Sequence, residues 1–161
     1  MAAGIYHHGG SESEYLQGIR NIDWTGKVTR NQELINMLER LNSTVALGIL
    51  SGGLNSMSEP ICRQILGDDW RKLFQVTVFD DTPNLPAKKP DRLAFLYTLQ
   101  LMKVETSQTA VIDDSQAAVV SAAALGMLTI YVGDQDGIGD LRISRIEDLQ
   151  ALIGLSNDSN H

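Results

Sequence analysis

The sequence predicts an α/β protein, a parallel sheet with helices on both faces. Three observations carry this reading. Short apolar runs at Val45–Leu50, Val76–Phe79, Ala110–Ile112 and Leu128–Val132 have the near-continuous hydrophobicity of strands buried on both sides. Segments with helical spacing separate them, and such alternation implies right-handed crossovers. Three of the predicted tips, or the turns beside them, also carry chemistry: Ser51-Gly52-Gly53 after the first run, Lys88-Lys89-Pro90-Asp91 ahead of a helix, and Asp113-Asp114 after the third. Open α/β sheets place ligand sites at the carboxyl ends of their strands.

The chain has 161 residues, enough for one domain with a real core. Its net charge is −7 and its pI near 4.8. This argues against a nucleic-acid partner and against an anionic membrane surface, but not against a small phosphorylated molecule at a locally basic site. No apolar stretch is long enough to span a bilayer, and Met1–Glu14 lacks the basic start and apolar block of a signal peptide. Cys62 is the single cysteine, so no internal disulfide can form and a reducing, cytoplasmic setting is expected.

Taken in order, residues 1–28 are expected to be a flexible terminus, with a short helix and turn over Tyr15–Trp24 and adjacent His7 and His8 pointing in different directions. Thr29 reads as an N-cap with Gln32 reaching back, opening a helix whose apolar face holds Leu34, Ile35, Met37, Leu38 and Leu41. After the Val45–Leu50 strand, Ser51-Gly52-Gly53 offers a hydroxyl and bare amides that can approach an anion; the plain alternative is an ordinary strand-to-helix turn. Ser56 or Ser58 then caps a helix to about Leu66, with Pro60 in its first turn and Gly67 ending it.

The next strand leads into a turn-rich loop from Asp80 to Ala87. Lys88 and Lys89 precede a helix over about Asp91–Met102, with Leu93, Leu96, Tyr97 and Leu101 expected on its buried face and Phe95 and Leu99 near its edge. Lysines ahead of a helix N-terminus oppose its dipole and make better sense facing an anion, although a solvated lysine is the usual case. The stretch Thr109–Gly133 reads as strand, small-residue helix from Gln116 to Leu125, Gly126 cap and strand. Two adjacent carboxylates at a strand tip repel each other and suit a hard cation such as Mg²⁺, unless Asp114 or Ser115 merely caps the following helix. An acidic loop, Asp134–Asp140, precedes a final amphipathic helix over Ile146–Leu155 and a polar tail, 156–161.

Read together, a strand ending in Ser51, a Lys89-Pro90-Asp91 segment and a strand ending in Asp113-Asp114-Ser115 resemble, in order and spacing, the haloacid dehalogenase-like (HAD) hydrolases, which are mainly phosphatases. The resemblance covers about Thr29 to Gly133 and implies a Rossmann-like core over 29–155, with residues 1–28 including the remnant of a helical cap. Two departures are local: Gly52 and Ala118 stand where the family often has Asn. A larger one is the first motif, an Asp-x-Asp at the tip of a central N-terminal strand. Gly4-Ile5-Tyr6 is too short to be that strand, Asp23 has no strand before it, and Asp134-Gln135-Asp136 comes after the acidic-pair unit.

The resemblance implies a Mg²⁺-dependent phosphate monoester hydrolase working through an aspartyl-phosphate. Ser51, Gly52, Gly53 and Lys89 would bind phosphate, Lys89 and Ser51 would serve catalysis, and Asp113 and Asp114 would hold the metal. Without the nucleophilic Asp, the expectation is a truncated or impaired enzyme, with a second copy or a partner segment completing the sheet. The alternative is a non-catalytic phosphate-binding or protein-interaction module on the same fold. A phosphoacceptor receiver domain also uses an acidic pair and a lysine, but there the lysine follows the pair.

Overall fold

The computed structural model describes residues 26–154, together with residues 13, 14, 17 and 18. Expectations for His7, His8, Asp23, the Tyr15–Trp24 helix and the tail beyond 154 lie outside the described residues, apart from isolated positions.

Helix α1 spans Gln32–Asn42. Its cap is Asn31, not Thr29: the Asn31 side chain accepts from Leu34 N at 3.0 Å, and Gln32 reaches forward to Asn36 instead of back. Asn31 also donates to Glu147 Oε1 at 2.6 Å, so one side chain both caps the helix and ties it to the far end of the chain. Strand β1 is confined to Gly48–Leu50, because the amides of Thr44 and Val45 fold back onto Leu41 O to close α1.

Helix α2, Asn55–Leu66, has no side-chain cap of its own, so neither Ser56 nor Ser58 plays that part. Asp81, from the next strand's tip, accepts from Asn55 N at 2.8 Å and places a carboxylate at the positive end of the helix. Pro60 sits in the second turn. A single 3₁₀ turn, Trp70–Leu73, buries Trp70 and leads to β2, Val76–Val78, which pairs in parallel with β1.

Helix α3, Arg92–Met102, is capped by Asp91. It buries Ala94, Phe95, Thr98 and Leu99, while Leu93, Leu96 and Leu101 are exposed. The expected face is therefore the outer one. The helix has no charged residue between Arg92 and Lys103, and an apolar repeat all round gives periodicity no single face to select.

Strand β3, Ala110–Asp113, helix α4, Gln116–Ala123, and strand β4, Leu128–Val132, form the expected crossover unit. Ser115 caps α4, and Gly126 takes the left-handed conformation (φ 81°) that suits glycine after a helix. A strand the sequence did not suggest, β5 at Leu141–Ile143, pairs with β4. The final helix is shorter than expected: a 3₁₀ turn at Ile146–Asp148 and then α5, Leu149–Leu152.

The three strand pairings among the described residues are parallel, and two apolar layers cover the strands. Phe95, Leu99, Ala118, Ala122 and Met127 form one layer with Leu50 and Val111. Met37, Ile130, Ile143 and Leu149 form the other with Ile112. Val111 and Ile112 are consecutive and so point to opposite faces of β3. Helices α3 and α4 therefore cover one face and α1 the other. Among the described residues the strands make two ladders, β2-β1 and β3-β4-β5, with no pairing between β1 and β3. The expected gap at the centre of the sheet is consistent with this arrangement of the described strands.

Candidate functional site

The carboxyl ends of β2 and β3 repeat one motif, an apolar run closed by two aspartates: Asp80-Asp81 and Asp113-Asp114. The adjacent lysines before α3 join them. Lys88 Nζ lies 3.8 Å from Asp80 Oδ2, and Lys89 Nζ donates to Asp113 Oδ2. The Lys89–Asp113 pair is largely shielded, with 15% and 9% of the side chains exposed. Its favourable field is therefore little screened.

Ser51 enters the same edge through β1. Its amide donates to Val78 O, and Asp80 N donates to Gly53 O at 3.0 Å, so the Ser51–Gly53 loop sits beside the β2 tip. Ser51 Oγ accepts from Gly53 N at 3.1 Å, which leaves the hydroxyl proton to donate elsewhere. A Cβ at Gly53 would come within 3.1 Å of Ser58 Oγ, whereas one at Gly52 meets nothing within 4 Å. Gly53 is thus tied into the turn, and Gly52 borders open space. Ser51, Lys89 and Asp113 are linked in one chain of contacts through Gly53, Asp80 and Lys88.

Asp113 is fully engaged, for its Oδ1 accepts from Ser115 N at 2.8 Å. Asp114 is exposed. Among the described residues, no three His, Cys, Asp or Glu side chains are grouped to hold a metal. The aspartate pair suits Mg²⁺ in kind, as hard oxygen donors, but not in number.

Asp80 is the residue that sequence reasoning left in a turn. Its Oδ1 is buried without a hydrogen-bond partner among the described residues. Burial pushes its carboxyl above the usual range; Lys88 and Lys89 pull it back, and Asp81 adds to the rise. The available signal was the repeated Asp-Asp ending. Asp134 and Asp136 are tied to β5: Asp136 pairs with Arg142 at 3.3 Å, and Arg142 also donates to Asp134 O. Burial raises the Cys62 thiol's pKa, the reverse of a reactive cysteine. No helix among the described residues is long and apolar enough to cross a membrane.

Comparison with known proteins gives these features a setting. Residues 12–126 match the profile of haloacid dehalogenase-like hydrolases. No curated protein matches the chain. Among solved structures, the HAD phosphatase from Thermococcus onnurineus is similar at 26% identity and TM-score 0.65, over 77% of this chain and 58% of that one. CbbY from Rhodobacter sphaeroides, in complex with phosphate, is similar at 20% identity and TM-score 0.60, over 73% and 53%. YfnB from Bacillus subtilis, bound to magnesium, is similar at 17% identity and TM-score 0.65, over 76% and 54%. The chain spans less than two thirds of each of these structures. The profile match extends over more than half of the sequence, and with the parallel α/β architecture it shows that the chain belongs to the haloacid dehalogenase-like hydrolase family.

Proposed function

We propose that this chain is a cytoplasmic phosphate-binding scaffold of a HAD phosphohydrolase, with little or no turnover of its own. The observation that carries the proposal is the Lys89–Asp113 contact, which joins residues from separate segments at the edge that also holds the Ser51 loop. The Ser51 hydroxyl and the Gly52 amide would donate to phosphate oxygens. Lys89, with one proton on Asp113, has two further donors, and Lys88, 62% exposed, adds a second cation.

Turnover needs an attacking group, and each described aspartate at the edge has another task or no partner to activate it. Asp113 is bonded at both oxygens, Asp81 serves α2, and Asp80 sits beside Lys88. Loss of a nucleophile typically removes several orders of magnitude of rate. Mg²⁺ would supply charge neutralisation in this family, and YfnB is a relative bound to it. Two carboxylates without a third support only weak binding here, so a Mg²⁺ titration is expected to give a small response that Asp114→Asn removes.

Inorganic phosphate binding by calorimetry and hydrolysis of p-nitrophenyl phosphate test the two halves of the proposal. Expected are binding by the folded chain, weakened in Ser51→Ala and lost in Lys89→Ala, and hydrolysis at background. Absence of phosphate binding in the unmodified chain overturns the scaffold reading. Turnover abolished by both Lys89→Ala and Asp113→Asn overturns the inactivity and reveals an attacking carboxylate.

A further inference from the structure

The two lysine–aspartate pairs of the candidate site differ in grip. Lys89 donates directly to Asp113, and Ser115 N donates to the other Asp113 oxygen, so both oxygens of that carboxylate are met. Lys88 Nζ stands 3.8 Å from Asp80 Oδ2, beyond hydrogen-bond reach. The Lys88 side chain is exposed while that of Asp80 is shielded, and Asp80 Oδ1 is buried with no hydrogen-bond partner among the described residues. One pair is locked. In the other, a solvated lysine stands beside a carboxylate that lacks a hydrogen bond on either oxygen.

The groups around Asp80 offer little other compensation. Asp81, its neighbour, is negative and is spent on Asn55 N at the start of α2. The Ser51–Gly53 loop carries no charge and meets Asp80 through its backbone, Asp80 N donating to Gly53 O. Lys89 attracts Asp80 less than Lys88 does, and its proton is on Asp113. Across the whole edge, two lysines stand against four aspartates, Asp80, Asp81, Asp113 and Asp114. A phosphate dianion adds to that negative excess.

We propose that anion binding at this site transfers Lys88 from Asp80 to the anion, and that Asp80 then takes up one proton from solvent. The inference rests on the phosphate-binding reading and adds Asp80 as the residue that sets its affinity. A lysine ammonium on a long stem gains a charge-assisted hydrogen bond by turning from a carboxylate 3.8 Å away to a phosphate oxygen within reach. Its departure leaves a shielded carboxylate without its nearest cation and with a new anion close by. Both conditions favour the protonated form. The proton removes one negative charge from the edge, and no covalent bond other than the new O–H is made or broken. Asp113 does not follow, because Ser115 N stays on its carboxylate. Burial already holds the Asp80 carboxyl above its ordinary 3.8, against the pull of Lys88, and a bound anion raises it further. Affinity is therefore highest below the free-state value, falls about tenfold per pH unit between the free and bound values, and is level above both.

Sulfate is the probe, because it keeps both charges throughout the range and any pH dependence then belongs to the protein. Calorimetric titration of the full 161-residue chain from about pH 5 to 8, in two buffers of different ionisation heat, reads affinity and proton uptake together. The expected result is proton uptake on binding and affinity roughly tenfold or more weaker at the upper end. In Asp80→Asn the affinity should change less than about twofold over the same range. The Asp80 carboxyl carbon, followed by NMR in the unmodified chain, should titrate about one pH unit or more higher with saturating sulfate than without it. In Lys88→Ala it should titrate high even without sulfate, and an unchanged titration there overturns the transfer. Flat affinity in the unmodified chain, or a pH dependence that Asp80→Asn keeps, overturns the inference and leaves the phosphate site standing. No binding of sulfate or phosphate at any pH overturns both.

Discussion

The helices beside the two ladders are held by different forces. The β3-β4-β5 side is a packed core: Ile130 and Ile143 are buried against Met37 and Leu149, and Val119 and Ala122 of α4 are closed off. On the β1-β2 side, α2 buries no residue. It is attached by Glu59, whose carboxylate accepts from Arg63, Arg71 and the Trp70 indole, while Arg71 also stacks 4.5 Å over the Trp70 ring and reaches Asn55 and Thr77. Apolar packing is insensitive to pH and salt; a carboxylate-centred network is not. The lesson is that the helix after the Ser51 loop hangs on a titratable network, while the strands on both sides of the site stand on apolar packing, Leu50 and Val78 included.

The largest effect should come from the packed side. Ile130→Ala is expected to cost about 2–5 kcal/mol in guanidinium unfolding, and Ile49→Ala, at the half-buried edge, roughly 1–2 kcal/mol. Equal losses would break the comparison.

Next comes Glu59→Gln, with a loss of roughly 1–2 kcal/mol at pH 7. Burial raises the Glu59 pKa, but the hydrogen bonds from Arg71, Trp70 and Arg63 outweigh it, so the folded value lies below the ordinary 4.5. Its contribution is present above the unfolded value and disappears as pH falls through the folded one. Unfolding curves of the two proteins should therefore converge in acid, and a gap that stays constant with pH would refute the titratable support.

The smallest effect has the opposite sign. The Asp80 pKa is raised in the folded state, so the native protein loses stability as pH rises from the ordinary value near 3.8 through the raised one. Asp80→Asn lacks that loss and should gain under about 1 kcal/mol at neutral pH, with no gain below 3.8. Destabilisation at pH 7 would instead make the contact with Lys88 the dominant interaction.

Where local chemistry was unambiguous, the sequence was legible. The four strand runs and the Gly126 and Gly67 stops follow from residue type and spacing, and the Ser115 cap was one of the two offered there, with Asp114. Asn31 displaced Thr29 as cap because it has a second partner, Glu147, that lies 116 residues away. Asp81 caps α2 from another strand, a contact that spacing within α2 could not reveal. Strand β5 is three residues long with an arginine in the middle, and it exists because β4 offers an edge. Asp80 went unread because its side chain matters through burial, which only the assembled fold determines.

The outward face of α3 has a consequence for the protein as a solute. Leu93, Leu96 and Leu101 stand on one exposed helix with no charge among them, and the molecule's net charge of −7 keeps copies apart at neutral pH. Near pH 4.8 that repulsion vanishes while the leucines remain, so colloidal association should begin on this helix and respond to a single charge placed at Leu96.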